Sequence, residues 1–385
     1  MIEGIGRAGG RVGDQVPALT GLRGVAAVVV VIYHYLEVPT LFSPDFKEPF
    51  SGYLAVDLFF VLSGFLMAMN YGRLFRDHFS LVSFRIFLTR RFARVYPLYL
   101  AITLLVFALS IVGIGGPYRW RTLAVNLPLA QQLGPGLYDP ALGSSIVGPA
   151  WSISTELGAY LLFPVLFGLA RAKRSATFLG GISIAALTVI AVVPWEWKPQ
   201  GIHGYGPLNV WNGADFWALL RCIADFSLGL VAHFFWSSNK PRAGGRGNLW
   251  GLVITSLAIT FWAIPKLDVI AVTGFSLLII HLASNSSKIS GLLSSTAFIF
   301  LGEISFALYL LHFVIIDITY LNSNSLSRFL VAHLTYPEIA SVTFCAAISL
   351  SWLSFACIER PARQWLRLAM ESKPPENLLT EPAAP

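Results

Sequence analysis

This chain is short of charge. Only 12% of its 385 residues are Asp, Glu, Lys or Arg, against roughly 25% in soluble globular domains. A deficit of that size argues against an ordinary soluble domain. Cysteine is scarcer still. Cys222, Cys345 and Cys357 all sit in apolar stretches, with no CxxC and no even set at framework spacing. That pattern disfavours a disulfide framework and a cysteine-based zinc site, and all three are read as packing residues. No Walker loop, HExxH or GxSxG pattern occurs, so nothing points to nucleotide hydrolysis, zinc proteolysis or a serine-hydrolase elbow. The chain also lacks an internal repeat. No cleavable signal is expected either, because the apolar run after Arg23 continues into HYLEVPT without a small-residue cleavage site.

What is present is apolar. Hydrophobic residues make up 55% of the chain and aromatics 14%, with a mean hydropathy of +0.66. Long apolar runs predict an all-α polytopic membrane bundle of about ten crossings. They lie near residues 18–36, 53–71, 96–112, 149–169, 176–193, 214–236, 249–264, 269–283, 297–320 and 339–358. The seventh and eighth runs are short, and either two tilted helices or one re-entrant hairpin fits them. Residues 1–16 are expected to be a disordered cytoplasmic start, 17–365 the membrane domain, and 366–385 a disordered tail. With ten crossings, nineteen Lys and Arg fall on the side of the termini and six on the other. Both termini are therefore expected in the cytoplasm, in a multi-pass inner-membrane protein. The net charge of +7 is explained by those loops and calls for a lipid bilayer as partner, not nucleic acid.

Against this background, ionisable residues inside the spans stand out. The first span, LTGLRGVAAVVVVIYH, carries Arg23 and His34, eleven positions apart. On a helix that is close to three turns, so both share one face about 16 Å apart along the axis. Asp57 in the second span and Glu156 in the fourth are expected at a depth similar to that of His34. An imidazole with a carboxylate to fix its tautomer would make a general-base site; the alternative is a polar core whose groups satisfy one another. Near Arg23 lies RRFARVYPLY, with Arg90, Arg91 and Arg94. Clustered guanidinium groups suit phosphates, although a basic cytoplasmic loop is also what topology and anionic lipid headgroups demand. Arg221 and Asp225, four apart in the sixth span, are expected to pair. Glu303 and His312 in the ninth either line one cavity or belong to the core.

Taken together, these blocks resemble the acyltransferase-3 family of bacterial integral membrane enzymes. The Arg23–ten residues–His34 spacing is similar to the family's first-helix hallmark. YLAVDLFFVLSGFLM, with Asp57, Ser63 and Gly64, resembles its second helix, and RRFARVYPLYL its basic loop. GPAWSISTELGAYLLFPV resembles the segment that carries Trp151, Ser152 and Glu156. LGEISFALYLLH and IERPARQW complete six blocks in family order. One departure is Glu156-Leu-Gly-Ala-Tyr160, where the family often reads Glu-Gln-Phe-Tyr. Some relatives add an extracytoplasmic hydrolase-like domain, for which no room is expected after the last span.

The resemblance implies transfer of an acyl group, most often acetyl, from cytoplasmic acyl-CoA to a carbohydrate hydroxyl, with no metal. Acetyl-CoA or another acyl-CoA would be the donor substrate, and an O-antigen, exopolysaccharide or similar glycan the acceptor. Carried over residue by residue, it makes His34, Asp57 and Glu156 the catalytic candidates. Arg23, Arg90, Arg91 and Arg94 become the donor-binding candidates, and Trp151 and Ser152 the substrate-binding ones. A transporter or flippase of lipid-linked sugars is the competing reading; inverted repeats would favour it, and none is found. Acceptor identity, acyl chain, a covalent intermediate and oligomeric state are not written in the sequence.

Overall fold

Apolar runs of about twenty residues have one stable backbone solution in lipid, the helix, because it satisfies its own hydrogen bonds. A computed structural model describes residues 16–38, 51–116, 118–133, 144–193, 206–210, 216–238, 253–255, 264, 266–284, 287–321 and 325–371. No strand occurs among them. The helices are α1 (Pro17–Glu37), α2 (Leu54–Tyr71, ending in a 3-10 turn at Gly72–Phe75), α3 (Leu81–Ile111), α4 (Trp120–Asn126), α5 (Ala150–Leu169), α6 (Lys173–Val192) and α7 (Trp217–Ser238). After them come α8 (Asp268–Ala283), α9 (Lys288–Leu293), α10 (Thr296–Ile316, running into a π turn at Asp317–Leu321), α11 (Ser325–His333), α12 (Tyr336–Ser354) and α13 (Arg360–Glu371). A second π turn, Phe355–Glu359, joins α12 to α13. Eight of these helices are long and apolar enough to cross a bilayer. The expected eighth crossing is the 16-residue α8, and most of the expected seventh lies outside the described residues.

Two close helix pairs form the centre. α1 packs along α10, and α2 along α7. Both crossings are built on glycine, which lets backbones approach. A Cβ at Gly24 would land on the backbone of Gly302, and one at Gly64 on the carbonyl of Phe226 beside Gly229. α5 and α6 flank α7, and α12 flanks α10. The flanking helices carry exposed apolar residues such as Phe178, Val189, Val342 and Trp352, as a lipid-facing surface requires.

Three expectations are corrected. The arginine-rich stretch before the third span is not a loop. It is the first half of α3, whose 31 residues reach about 46 Å, longer than a hydrocarbon core of about 30 Å. Phe84, Phe87 and Leu88 pack it onto the core, which keeps it helical. The tail also stays helical to Glu371, past the expected start of disorder at 366; residues 372–385 lie outside the described residues. Of the three cysteines only Cys222 is buried, while Cys345 and Cys357 are exposed. In a membrane helix an apolar stretch faces outward as readily as inward, so apolar context did not locate the thiols.

The long connection after α3 is anchored by one amide, and Gln131 and Ser154 tie it further to α5. Buried Asn126 donates from Nδ2 to the Thr122 and Ser144 carbonyls, both at 2.9 Å, and its Oδ1 accepts the Ile146 N–H at 3.0 Å. Its own carbonyl accepts the Tyr99 hydroxyl. These bonds seat Gly148 and Pro149 at the start of α5.

Candidate active site

Two cavities lie end to end between α1, α2, α5 and α10. One, of about 150 Å³, is lined by His34, Tyr33, Trp151, Asn209, Arg221 and Phe313, among others. The other, of about 120 Å³, is lined by Arg23, Arg91, Arg94, Ser63, Glu156 and Tyr160, among others. Val56 and Tyr309 line both, so the partition between them is one aliphatic and one phenolic side chain thick. The Tyr309 hydroxyl shares a hydrogen bond with Ser152 Oγ at 2.7 Å and donates to the Pro149 carbonyl at 3.1 Å. Trp151 and Ser152, adjacent on α5, therefore stand on the two sides of this partition.

In the histidine cavity, the Nδ1 of His34 lies 2.9 Å from the Val30 carbonyl oxygen and 3.3 Å from Nε2 of His312. His312 is fully buried, and its Nδ1 lies 3.0 Å from the Leu308 carbonyl oxygen. Tyr33 and Phe313 meet the His34 ring edge-on at 5.3 and 5.6 Å, which fixes its plane. Nε2 of His34 has no partner among the described residues, and the residue is only half-buried.

The wall of this cavity is tied by a buried ion pair. Arg221 grips Asp57 with both prongs of its fork, Nε to Oδ1 at 2.7 Å and Nη2 to Oδ2 at 2.5 Å. Its Nη1 donates to the Val210 carbonyl at 3.1 Å. Asp268 Oδ2 accepts from the Tyr53 hydroxyl at 2.5 Å and from the Leu208 N–H at 2.9 Å. Residues 206–210 are thus clamped over the cavity, with Asn209 among its lining.

The other cavity is cationic. Three arginines and one carboxylate line it. Arg23 is braced by α10: Nη2 donates to the Gly302 carbonyl at 2.6 Å, and Nε to that carbonyl and to Ser305 Oγ, each at 3.1 Å. Nη1 has no partner among the described residues. Arg91 donates to the Tyr71 hydroxyl at 2.6 Å and stacks over that ring. Glu156 accepts from the Ser63 hydroxyl and, at 2.6 Å, from the Tyr160 hydroxyl. Beside this group the buried Glu359, delivered by the π turn, holds Arg363 at 2.5 Å.

The comparisons with known proteins speak to this arrangement. A family model described as an acyltransferase domain matches residues 16–356. The chain belongs to the acyltransferase-3 family. It is therefore an acyltransferase, in an all-helical scaffold with membrane-crossing helices. A relative named Acyltransferase MdmB, from Streptomyces mycarofaciens, is 28% identical over 89% of this chain and 88% of its own. Protein 2 in the picA locus of Rhizobium radiobacter is 35% identical over 45% of this chain and 93% of its own. A protein of Staphylococcus aureus (strain COL), provisionally named an O-acetyltransferase, is 23% identical over 91% of this chain. The match spans 57% of that protein's length.

Within this family member the expected single layer of His34, Asp57 and Glu156 divides into three. His34 opens on one cavity, Glu156 lines the other, and Asp57 is buried in the wall, committed to Arg221. Depth along a span fixes a residue's level but not the face it shows. The expected Arg221–Asp225 pair is likewise replaced. Spacing of four puts the two on adjacent turns, but the guanidinium fork reaches across to α2, and Asp225 lies buried beside Asp57. Arg90 is exposed on α3 and lines neither cavity. Glu303 does not share a cavity with His312; it lines neither. Sequence reasoning missed Ser305 and Tyr309 altogether. Their signal is the run Gly302, Ser305, Tyr309, His312, which repeats at helical spacing along a mostly apolar α10.

Proposed function

We propose that this chain is an O-acyltransferase that carries an acyl group, acetyl in the first instance, from acyl-CoA to a hydroxyl of a cell-surface or exported carbohydrate. The observation that carries this reading is the pair of cavities meeting at Tyr309 and Val56, one lined by arginines and one by an unpartnered imidazole nitrogen. Acyl-CoA is an anionic nucleotide on a long flexible arm that ends in a thioester. Arg23, Arg91 and Arg94 suit its phosphates, and the arm, passing Tyr309, brings the thioester to the histidine cavity. There the aromatic and amide lining of Tyr33, Trp151 and Asn209 suits a sugar ring. His34 Nε2 accepts the proton of the acceptor hydroxyl as its oxygen attacks the acyl carbon. The carbon–sulfur bond breaks, and the proton passes from His34 to the leaving thiolate. Imidazole suits both transfers because its pKa lies near the operating pH.

The reading has a sidedness. Nineteen basic residues on the side of the termini favour that side as cytoplasmic in a multi-pass inner-membrane protein, which would put the arginine cavity toward cytoplasmic acyl-CoA. The test uses purified protein in lipid nanodiscs with labelled acetyl-CoA and a crude cell-envelope glycan. Wild type should release CoA and label the glycan only when glycan is added. His34→Ala, with an unchanged unfolding midpoint, should lose about 10²–10⁴-fold, the usual contribution of a positioned base. Full transfer by the folded variant would overturn the assignment.

A further inference from the structure

We propose that His312 is the positioning residue of the transfer: its Nε2 accepts the Nδ1–H of His34, and so holds His34 with a bare Nε2 turned to the acceptor. The geometry points to one protonation pattern. A neutral imidazole carries a single N–H. Nδ1 of His312 faces the Leu308 carbonyl at 3.0 Å, and Nδ1 of His34 faces the Val30 carbonyl at 2.9 Å. A carbonyl oxygen only accepts, so the hydrogen of each ring sits on Nδ1 and both Nε2 atoms are bare. The 3.3 Å approach of His312 Nε2 to His34 Nδ1 is then a lone pair meeting an N–H that is shared with Val30. The reverse tautomer of His312 would set its bare Nδ1 against the Leu308 oxygen, lone pair to lone pair.

The inference rests on the reading of His34 as the base and adds a role to it. When His34 Nε2 takes the acceptor proton, the positive charge spreads to Nδ1–H, and the bond to His312 strengthens as the charge develops. In soluble hydrolases a carboxylate does this work. Here two carboxylates of neighbouring helices, Asp57 and Glu156, are held by Arg221 and by Ser63 with Tyr160. A second neutral imidazole serves without placing another permanent charge inside the membrane. His312 itself is fully buried and lines neither cavity, so it acts through His34 and not on substrate.

The test compares His312→Gln, His312→Phe and His34→Ala in nanodiscs with labelled acetyl-CoA and glycan. Glutamine keeps an acceptor at the position of Nε2, whereas phenylalanine keeps only the ring shape. His312→Phe should lower kcat by roughly 100-fold, the lower end of what a positioned acid–base group contributes, with KM for acetyl-CoA unchanged. His312→Gln should recover most of kcat. Equal activity of wild type and the phenylalanine variant would overturn the role of His312. Activity in His34→Ala would instead overturn the underlying reading. Should either His312 variant fail to fold, ¹⁵N-histidine NMR of wild type decides: His34 and His312 must both show protonated Nδ1 and bare Nε2, and the opposite tautomer in either ring would sink the proposal.

Discussion

A bidentate arginine–carboxylate pair with both partners essentially unexposed is held together by mutual need. Arg221 and Asp57 are 1% and 0% exposed, and neither could be left alone in so dry a place. Removing one partner of such a pair typically costs about 3–5 kcal/mol, because the other stays buried and uncompensated. Asp57→Ala should therefore lower the thermal unfolding midpoint in detergent markedly, and its activity should fall with the folded fraction. His34→Ala should leave the midpoint near wild type, since it removes no ion pair. An Asp57→Ala protein of wild-type stability that is nonetheless inactive would return Asp57 to the chemistry. This contrast also marks what the sequence could not say about single residues. The charge of Asp57 inside a span announced that it mattered. Which partner it chose depends on how α2 and α7 are rotated against each other, and spacing along either helix carries no record of that. His34 and Arg23 were legible for the opposite reason, because their relation lies within one helix, where a separation of eleven fixes both face and distance.

The elements meet through glycine, and this has a measurable consequence. At Gly24 a side chain would strike the backbone of Gly302 and Leu301, not a movable side-chain tip. Arg23, the neighbour of Gly24, reaches the Gly302 carbonyl at 2.6 Å only because α1 and α10 are this close. Gly24→Leu should force the two helices apart, with overpacking of the order of 1–3 kcal/mol or more, and so both lower the unfolding midpoint and weaken acyl-CoA binding. Gly168→Ala, at a position where a Cβ meets nothing, should do neither. A stable Gly24→Leu protein with wild-type KM for acyl-CoA would contradict the part played by this crossing. At this scale most helices could be read from apolar runs, since lipid leaves the backbone few alternatives. The boundary of α3 could not. Its arginines look like a loop by charge, while Phe84, Phe87 and Leu88 between them supply the apolar face that makes it helix.

Across the whole molecule, the proposed reaction assigns the phosphates of the donor to one cavity and the ring of the acceptor to the other. The distance from Arg23 to His34 along α1, about 16 Å, is of the scale that a flexible thioester arm must span. Val56 and Tyr309, which line both cavities, stand where the proposed arm would pass. This division was only half legible beforehand. The basic side and the histidine could be read from α1 alone, and His312 could be named as a candidate, but its meeting with His34, 278 positions away, depends on how the fold packs α10 on α1. The most direct measurement of the account uses sealed membrane vesicles of known orientation, with acetyl-CoA, which does not cross the bilayer, supplied from outside. Inverted vesicles, with the cytoplasmic face outward, should acetylate glycan trapped in their lumen, and His34→Ala should abolish the signal. Right-side-out vesicles given the same acetyl-CoA should transfer nothing. Transfer from acetyl-CoA outside right-side-out vesicles, or transfer in inverted vesicles that survives loss of His34, would contradict the account.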